Sequence, residues 1–324
     1  MMIKLFLLLI VLLLGGCRAD FSEVLPTEEK PVYICFASDA SINASVSEST
    51  RSGAIVGDTL SVGILGLGVQ ESELSTATLA GRNHWSFRDW MSNDLYYYVR
   101  GGDNGIMHSQ GEIPSFPLEE NSAVTAYAYL PRIDMKRIVC DMYSCYIPLD
   151  LVADEAATDW MYSGKVARSK NDAREQHDSI FTFKFKHAMT RLDFVISPML
   201  ISKDKLKLLE IDLGVYSHGI GLLSLEDGKI ILDRATLIPD SVYRLRRSID
   251  NAVISDTLPT HTETLYLIPE TRINDFRVVA LRNEKDTIVC ERTMDPDKWD
   301  HTNMKAGTRS VITIRQFWKE LKSK

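Results

Sequence analysis

FTFKFKHAMTRLDFVIS, Phe181 to Ser197, is the stretch whose reading decides the fold. Phe181, Phe183 and Phe185 point one way and Thr182, Lys184 and Lys186 the other, the period of a strand with one buried and one wet face. Past His187 the apolar set changes phase, because Leu192, Phe194 and Ile196 are even-numbered. A single strand carrying an extra residue, a β-bulge or sharp bend between Ala188 and Arg191, is the favoured reading. Two strands joined tightly at the same place is the alternative.

Working outward, the same β grammar recurs on both sides. Val32 to Phe36, Gly57 to Leu65, Val124 to Leu130 and Ile147 to Leu149 read as strands before it. In Val124 to Leu130 the tyrosines Tyr127 and Tyr129 share one face. Ala126 and Ala128 share the other, which lets another layer approach closely. After it come Leu208 to Val215, then a hairpin turning at Asp227-Gly228, then Thr264 to Ile268. A second hairpin turns at Asn283 to Asp286, and a last strand covers Ser310 to Trp318. Lys203 to Leu209 is the best helical candidate, and it is short. Lys165 to Asp178 is polar, has no apolar face and reads as a linker. Short strands separated by turn signals predict an all-β protein of antiparallel sandwiches. The length of 324 residues suits two of them, divided as 32–178 and 179–324.

The N-terminus reads as an export signal. Lys4 gives a positive start and Leu5 to Leu14 form an apolar run too short to span a bilayer. The run ends in Leu14-Gly15-Gly16-Cys17, similar to the lipobox of bacterial lipoproteins. Residues 1–16 are then a signal peptide, Cys17 the lipidated thiol, and 17–31 a polar linker to the outer membrane. Four cysteines remain. Cys140 and Cys145 flank a short turn, and a hairpin-closing disulfide and two buried free thiols fit equally well in an exported protein. A zinc site has no second closely spaced pair to build on.

The formal net charge is −7 without any basic run, which argues against nucleic acid as a partner. The seven histidines form no HExxH or other ligand spacing, and no GxSxG elbow occurs. The reading is therefore of a protein that is not an enzyme, with no cofactor and no metal. His187 reads as a packed or hydrogen-bonded strand residue. Aromatics crowd Asn83 to Arg100, where core packing competes with a ligand-stacking surface built on Trp85 and Trp90.

Taken in order, the lipobox at Cys17, AVTAYAYLP, DWMYS, FKFKHAMTRLDFVIS, LYLIPE and the closing run from Trp299 through AGTRSVITI resemble the fimbrillin-like family of Bacteroidales surface proteins. This family includes fimbrial stalk, anchor and tip proteins. The resemblance implies two tandem transthyretin-like β-sandwich domains, with FKFKHAMTRLDF opening the second. It implies a lipid-anchored structural and adhesive part of a cell-surface fimbrium, joined to other fimbrial subunits by strand exchange. It also implies proteolytic removal of the first strand in polymerising members, for which Arg51 is the candidate cleavage residue and Lys30 a second. The alternative is a stand-alone outer-membrane lipoprotein that binds glycan or a host ligand through Trp85 and Trp90.

Overall fold

The computed structural model describes residues 30–39, 59–79, 96–100, 105–110, 113–140, 144–149, 159–197, 204–216, 221–232, 242–250, 252–295, 305–315 and 319–320. Val32–Lys324 forms one compact unit. Its first half supplies β1 (Cys35–Ser38), β2 (Thr59–Gln70), β3 (Tyr96–Arg100), β4 (His108–Gln110), β5 (Ser122–Leu130), β6 (Val139–Cys140), β7 (Cys145–Leu149) and β8 (Met161–Ser169). A short helix, α1 (Lys170–Glu175), leads to β9 (Ile180–Phe183) and β10 (Phe185–His187). Six of these strands make an antiparallel sheet in the order β10-β8-β5-β2-β3-β4.

Strand β5 is buried at every position, so both of its faces meet a core. Ala126 and Ala128 pack in one cluster with Ile34, Phe36, Phe181 and Phe183. Tyr127 and Tyr129 pack in another with Leu65, Ile147, Leu223 and Ile268. The small face thus admits a phenylalanine-rich layer, as its alternation predicts.

The second half supplies β11 (Thr190–Ile196), β12 (Leu206–Tyr216), β13 (Gly221–Ser224), β14 (Ile230–Leu232), β15 (Val242–Ser248), β16 (Val253–Ile254), β17 (His261–Leu267), β18 (Arg272–Arg282), β19 (Asp286–Thr293), β20 (Arg309–Ile314) and β21 (Lys319–Glu320). A sheet ordered β17-β11-β20 shares a core with one ordered β15-β12-β18-β19-β21, where β16 also pairs with β12. Leu192, Phe194, Ile196, Leu265 and Ile312 fill it from one side, and Leu208, Leu213, Val278 and Ile288 from the other. This is sandwich packing of two alternating faces. Both hairpins occur. Gly228 at φ 71° follows β13, and Asn283 and Glu284 at φ 52° and 59° turn β18 into β19, left-handed conformations that suit turns of this kind. A further sheet, β14-β13-β7-β6, pairs Leu223 with Ile147 and so joins the two halves of the chain.

Three expectations are corrected. Phe181 to Ser197 is not one bulged strand. It breaks into β9, β10 and β11, the first two serving the Phe36 core and the third the Phe194 core. The phase change marks a transfer between sheets: the Ala188 amide still donates to the Trp160 carbonyl at 2.7 Å, whereas Thr190 already pairs with Leu267. The two-strand alternative described this break. The stretch Lys165 to Asp178 is no linker, because it completes β8 and forms α1. Ser169 caps that helix, its hydroxyl accepting from the Asp172 amide at 3.0 Å. The charged side chains are used locally: Lys165 Nζ donates to the Leu74 and Ala77 carbonyls and Lys170 Nζ to that of Leu118. Finally, Leu206 to Leu209 lie in β12 and not in a helix, because Leu206 and Leu208 both enter the second core on strand alternation. Past residue 178, β9 and β10 still pack in the first core, and the chain crosses to the second at Ala188–Met189.

One carboxylate ties the three-stranded sheet together. Asp193 in mid-β11 is fully buried. Its Oδ1 accepts from Arg191 Nε at 2.9 Å and Thr264 Oγ1 at 2.8 Å, and its Oδ2 from Arg309 Nε at 2.5 Å. Thr264 is on β17 and Arg309 on β20, so the group reaches both neighbouring strands. Burial pushes this carboxyl up, and the bonds from Arg191, Thr264 and Arg309 outweigh it, leaving the pKa below the ordinary value. A depressed folded pKa gives stability that is complete above the unfolded value and lost as pH falls through the folded one. Asp193→Ala should therefore cost about 3–5 kcal/mol at neutral pH. In urea titrations, the stability gap between wild type and Asp193→Asn should narrow as pH drops below about 4.

Candidate functional site

The site is the seat of the first strand. Val32 to Asp39 runs between two neighbours drawn from distant sequence. On one side β1 lies parallel to β9, with Phe36 opposite Phe181 and Ser38 opposite Phe183. On the other it meets residues 105–116 through antiparallel bridges, Tyr33 to Ser115 and Ala37 to Ile106. The backbone groups divide by parity, as strand geometry requires. The amides of Ile34 and Ser38 donate to the carbonyls of Pro114 and Gly105, at 2.7 and 2.8 Å. The carbonyls of Val32 and Phe36 accept from Phe116 and Met107, at 2.9 and 3.1 Å. The amides of Cys35 and Asp39 turn the other way, to the carbonyls of Ser179 and Phe183, at 3.2 and 2.8 Å.

The side chains follow the same parity. Ile34 and Phe36 are buried. The Phe36 ring stands edge-on to Phe181 at 5.8 Å and stacks with Phe183 at 5.7 Å, and Phe116 lies 6.1 Å from Phe181. Such aromatic pairs add to the roughly 1.5–3 kcal/mol that each buried large side chain contributes. The odd residues face outward, with Tyr33 at 54% exposure and Cys35 an exposed free thiol. Withdrawing this segment would uncover Phe181, Phe183 and Phe116. It would also unpair the backbone on both sides, leaving a groove shaped for a strand.

Sequence reasoning finds the strand at Val32 to Phe36 but not its partner. The signal is present in hindsight: Ile34-x-Phe36 and Phe181-x-Phe183 share an apolar period of two, although 145 positions separate Phe36 from Phe181. Nothing in either segment specifies the pairing, which long-range packing decides.

The other singled-out residues fall in two groups. Cys17, Arg51, Trp85 and Trp90 lie outside the described residues. Cys140 and Cys145 are joined as a disulfide, S–S 2.08 Å, between the paired strands β6 and β7. His187 is bonded within the fold, its Nδ1 at 2.8 Å from Oδ2 of buried Asp159. His261 and Arg247 bracket Glu263, at 3.1 and 2.9 Å. Among the described residues no three or more His, Cys, Asp or Glu side chains gather as a metal site, and no helix is long and apolar enough to cross a membrane.

A layered β protein with its first strand set between two distant segments is the class this geometry defines. The profile of the fimbrillin-like family matches residues 58–316, so the chain belongs to that family. Among solved structures it is similar to a candidate cell-adhesion protein from Bacteroides ovatus, at 14% identity and TM-score 0.50, over 90% of this chain and 96% of that one. It is similar to another from Bacteroides uniformis, at 15% identity and TM-score 0.50, over 91% and 96%. At these identities the likeness is one of fold. No curated protein matches the sequence.

Phe36→Ala should destabilise the protein by about 3–5 kcal/mol, whereas Cys35→Ser, one residue away on the outward face, should stay within about 0.5 kcal/mol of wild type. Chemical denaturation of the two variants checks whether the inward face of this segment holds the fold.

Proposed function

We propose that the protein is a lipid-anchored structural and adhesive component of a cell-surface fimbrium, built as two β-sandwich modules and joined to other fimbrial subunits by exchange of a β-strand. The observation that carries this reading is the setting of β1. It is a central strand bonded on both sides, yet it is short and joined to β2 only through residues 40–58. Family membership supplies the fimbrial context. Acylation of the lipobox thiol supplies the tether at Cys17, since two or three acyl chains at roughly 0.8 kcal/mol per buried CH₂ hold a protein firmly at a membrane.

The tether and the candidate cleavage residue lie on the same side of β2. A cut after Arg51 would separate both Cys17 and β1 from the remaining chain. Uncut, the protein keeps its lipid and fills its own groove, which suits a terminal or anchoring position. Cut, it keeps β1 only by non-covalent pairing, and a neighbour's strand competes for the same backbone groups. No catalytic step is assigned to it.

Mass spectrometry of the native N-terminus separates these fates. A diacylated Cys17 fits the anchored form and a terminus at Ser52 the polymerising form. Limited trypsin treatment of wild type should produce ladders of oligomers, and Arg51→Ala should not. A native terminus carrying neither lipid nor this cut, in a chain that stays monomeric after trypsin, would sink the proposal.

A further inference from the structure

The outward face of the β17-β11-β20 sheet has an unusual charge balance for an acidic chain. Register and alternation define it. Leu192, Phe194, Ile196, Ile312 and Ile314 turn into the core, so Arg191, Asp193 and Val195 on β11 face out beside Arg309, Val311 and Thr313 on β20. Arg315, exposed just past β20, continues the row. Three arginines thus share this face with one carboxylate, and that carboxylate is fully buried beneath two of them. Arg309 commits its Nε to Asp193 and still leaves 60% of its side chain exposed. The remaining guanidinium edge is presented to solvent on a plane that Asp193 fixes.

The outer face of the larger sheet of the same sandwich behaves differently. There Arg244 meets Asp212 and Asp275, and Arg246 lies 3.7 Å from Asp212, so positive charge is matched within the sheet. Of these two faces, the one on the smaller sheet carries arginine in excess.

We infer that this face binds an anionic polysaccharide, one carrying sulfate or carboxylate groups along its length. Arginine presents a planar fork that pairs with such groups in a bidentate manner. Arg309 and Arg315 are six residues apart on one strand edge, about 20 Å at strand rise. That spacing suits a polymer with repeated charges better than a single small anion. Exposed Thr313 adds a hydroxyl, and half-exposed Val311 between the arginines gives a sugar ring an apolar rest. A protein partner fits less well. Interfaces between proteins centre on aromatic anchors in desolvated pockets, and the aromatic on this face, Tyr266, is only 7% exposed. The site lies apart from the β1 seat and does not depend on strand exchange.

The test is binding of the full-length chain, in mild detergent, to immobilised heparin, with neutral dextran and polyglutamate as comparisons. Saturable binding to heparin that weakens with added salt and is absent on dextran is expected. The double variant Arg309→Gln, Arg315→Gln should bind at least about tenfold more weakly. Because Arg309 also partners buried Asp193, its unfolding temperature should fall, so Arg315→Gln alone, which leaves that cluster intact, should weaken binding with thermal unfolding unchanged. Equal binding to polyglutamate would reassign the face to an acidic protein. No saturable heparin binding, or binding the double variant retains, would overturn the inference.

Discussion

Every backbone group of a strand must find a partner, and the first strand of this protein finds its partners on two sides from segments far away in sequence. That constraint organises the first core. Phe181, Phe183 and Phe116 are buried because Phe36 lies against them. The carbonyls of Ser179, Phe183, Gly105 and Pro114 are satisfied because the amides of residues 34–39 reach them. Remove the segment, and both an apolar surface and two rows of unpaired groups are left behind, each costly in water-poor surroundings. A short element holding so much in place is a point where the structure is either sealed or opened.

The second constraint is the crossing at Ala188 and Met189. The same run of chain finishes one core and begins the other without a spacer, and both crossing residues are buried among side chains from each half. The sheet that pairs Ile147 with Leu223 reinforces this joint. So does Glu226, on the turn after Ser224, which accepts from the Tyr127 hydroxyl at 3.0 Å. Burial chiefly, with the Glu226 charge beside it, pushes that phenol well above its ordinary pKa, so it stays a donor throughout the useful pH range. The two cores therefore share a packed boundary.

Much of this was legible in the sequence. Val124 to Leu130 is legible in its alternation of alanine and tyrosine, Leu208 to Val215 as an apolar run and both hairpins in their turn residues, because each of these signals is local in sequence. The reading failed where two cores draw on one segment. The phase change after His187 was visible, but a bulge and a change of sheet write the same pattern, and only packing distinguishes them. Lys165 to Asp178 reads as a linker because its polar side chains are used within the fold, with buried Lys170 bonding the Leu118 carbonyl and Lys165 that of Ala77, an arrangement invisible to hydropathy. The site was half legible: the strand at Val32 was found, whereas its parallel pairing with β9 depends on contacts across the whole first half. The Asp193 cluster is not legible in the sequence because two of its three partners, Thr264 and Arg309, lie 71 and 116 positions away from the carboxylate.

The central claim is that residues 32–39 fill a groove which a separate strand of the same sequence can occupy. Peptide complementation tests it most directly. A chain beginning at Ser52 would be titrated with a labelled peptide covering Lys30 to Asp39, following both binding and resistance to urea. The account requires saturable binding that restores stability, and loss of both effects when Phe36 in the peptide is replaced by Asp. A truncated chain as stable as the intact one, indifferent to the peptide, would contradict it.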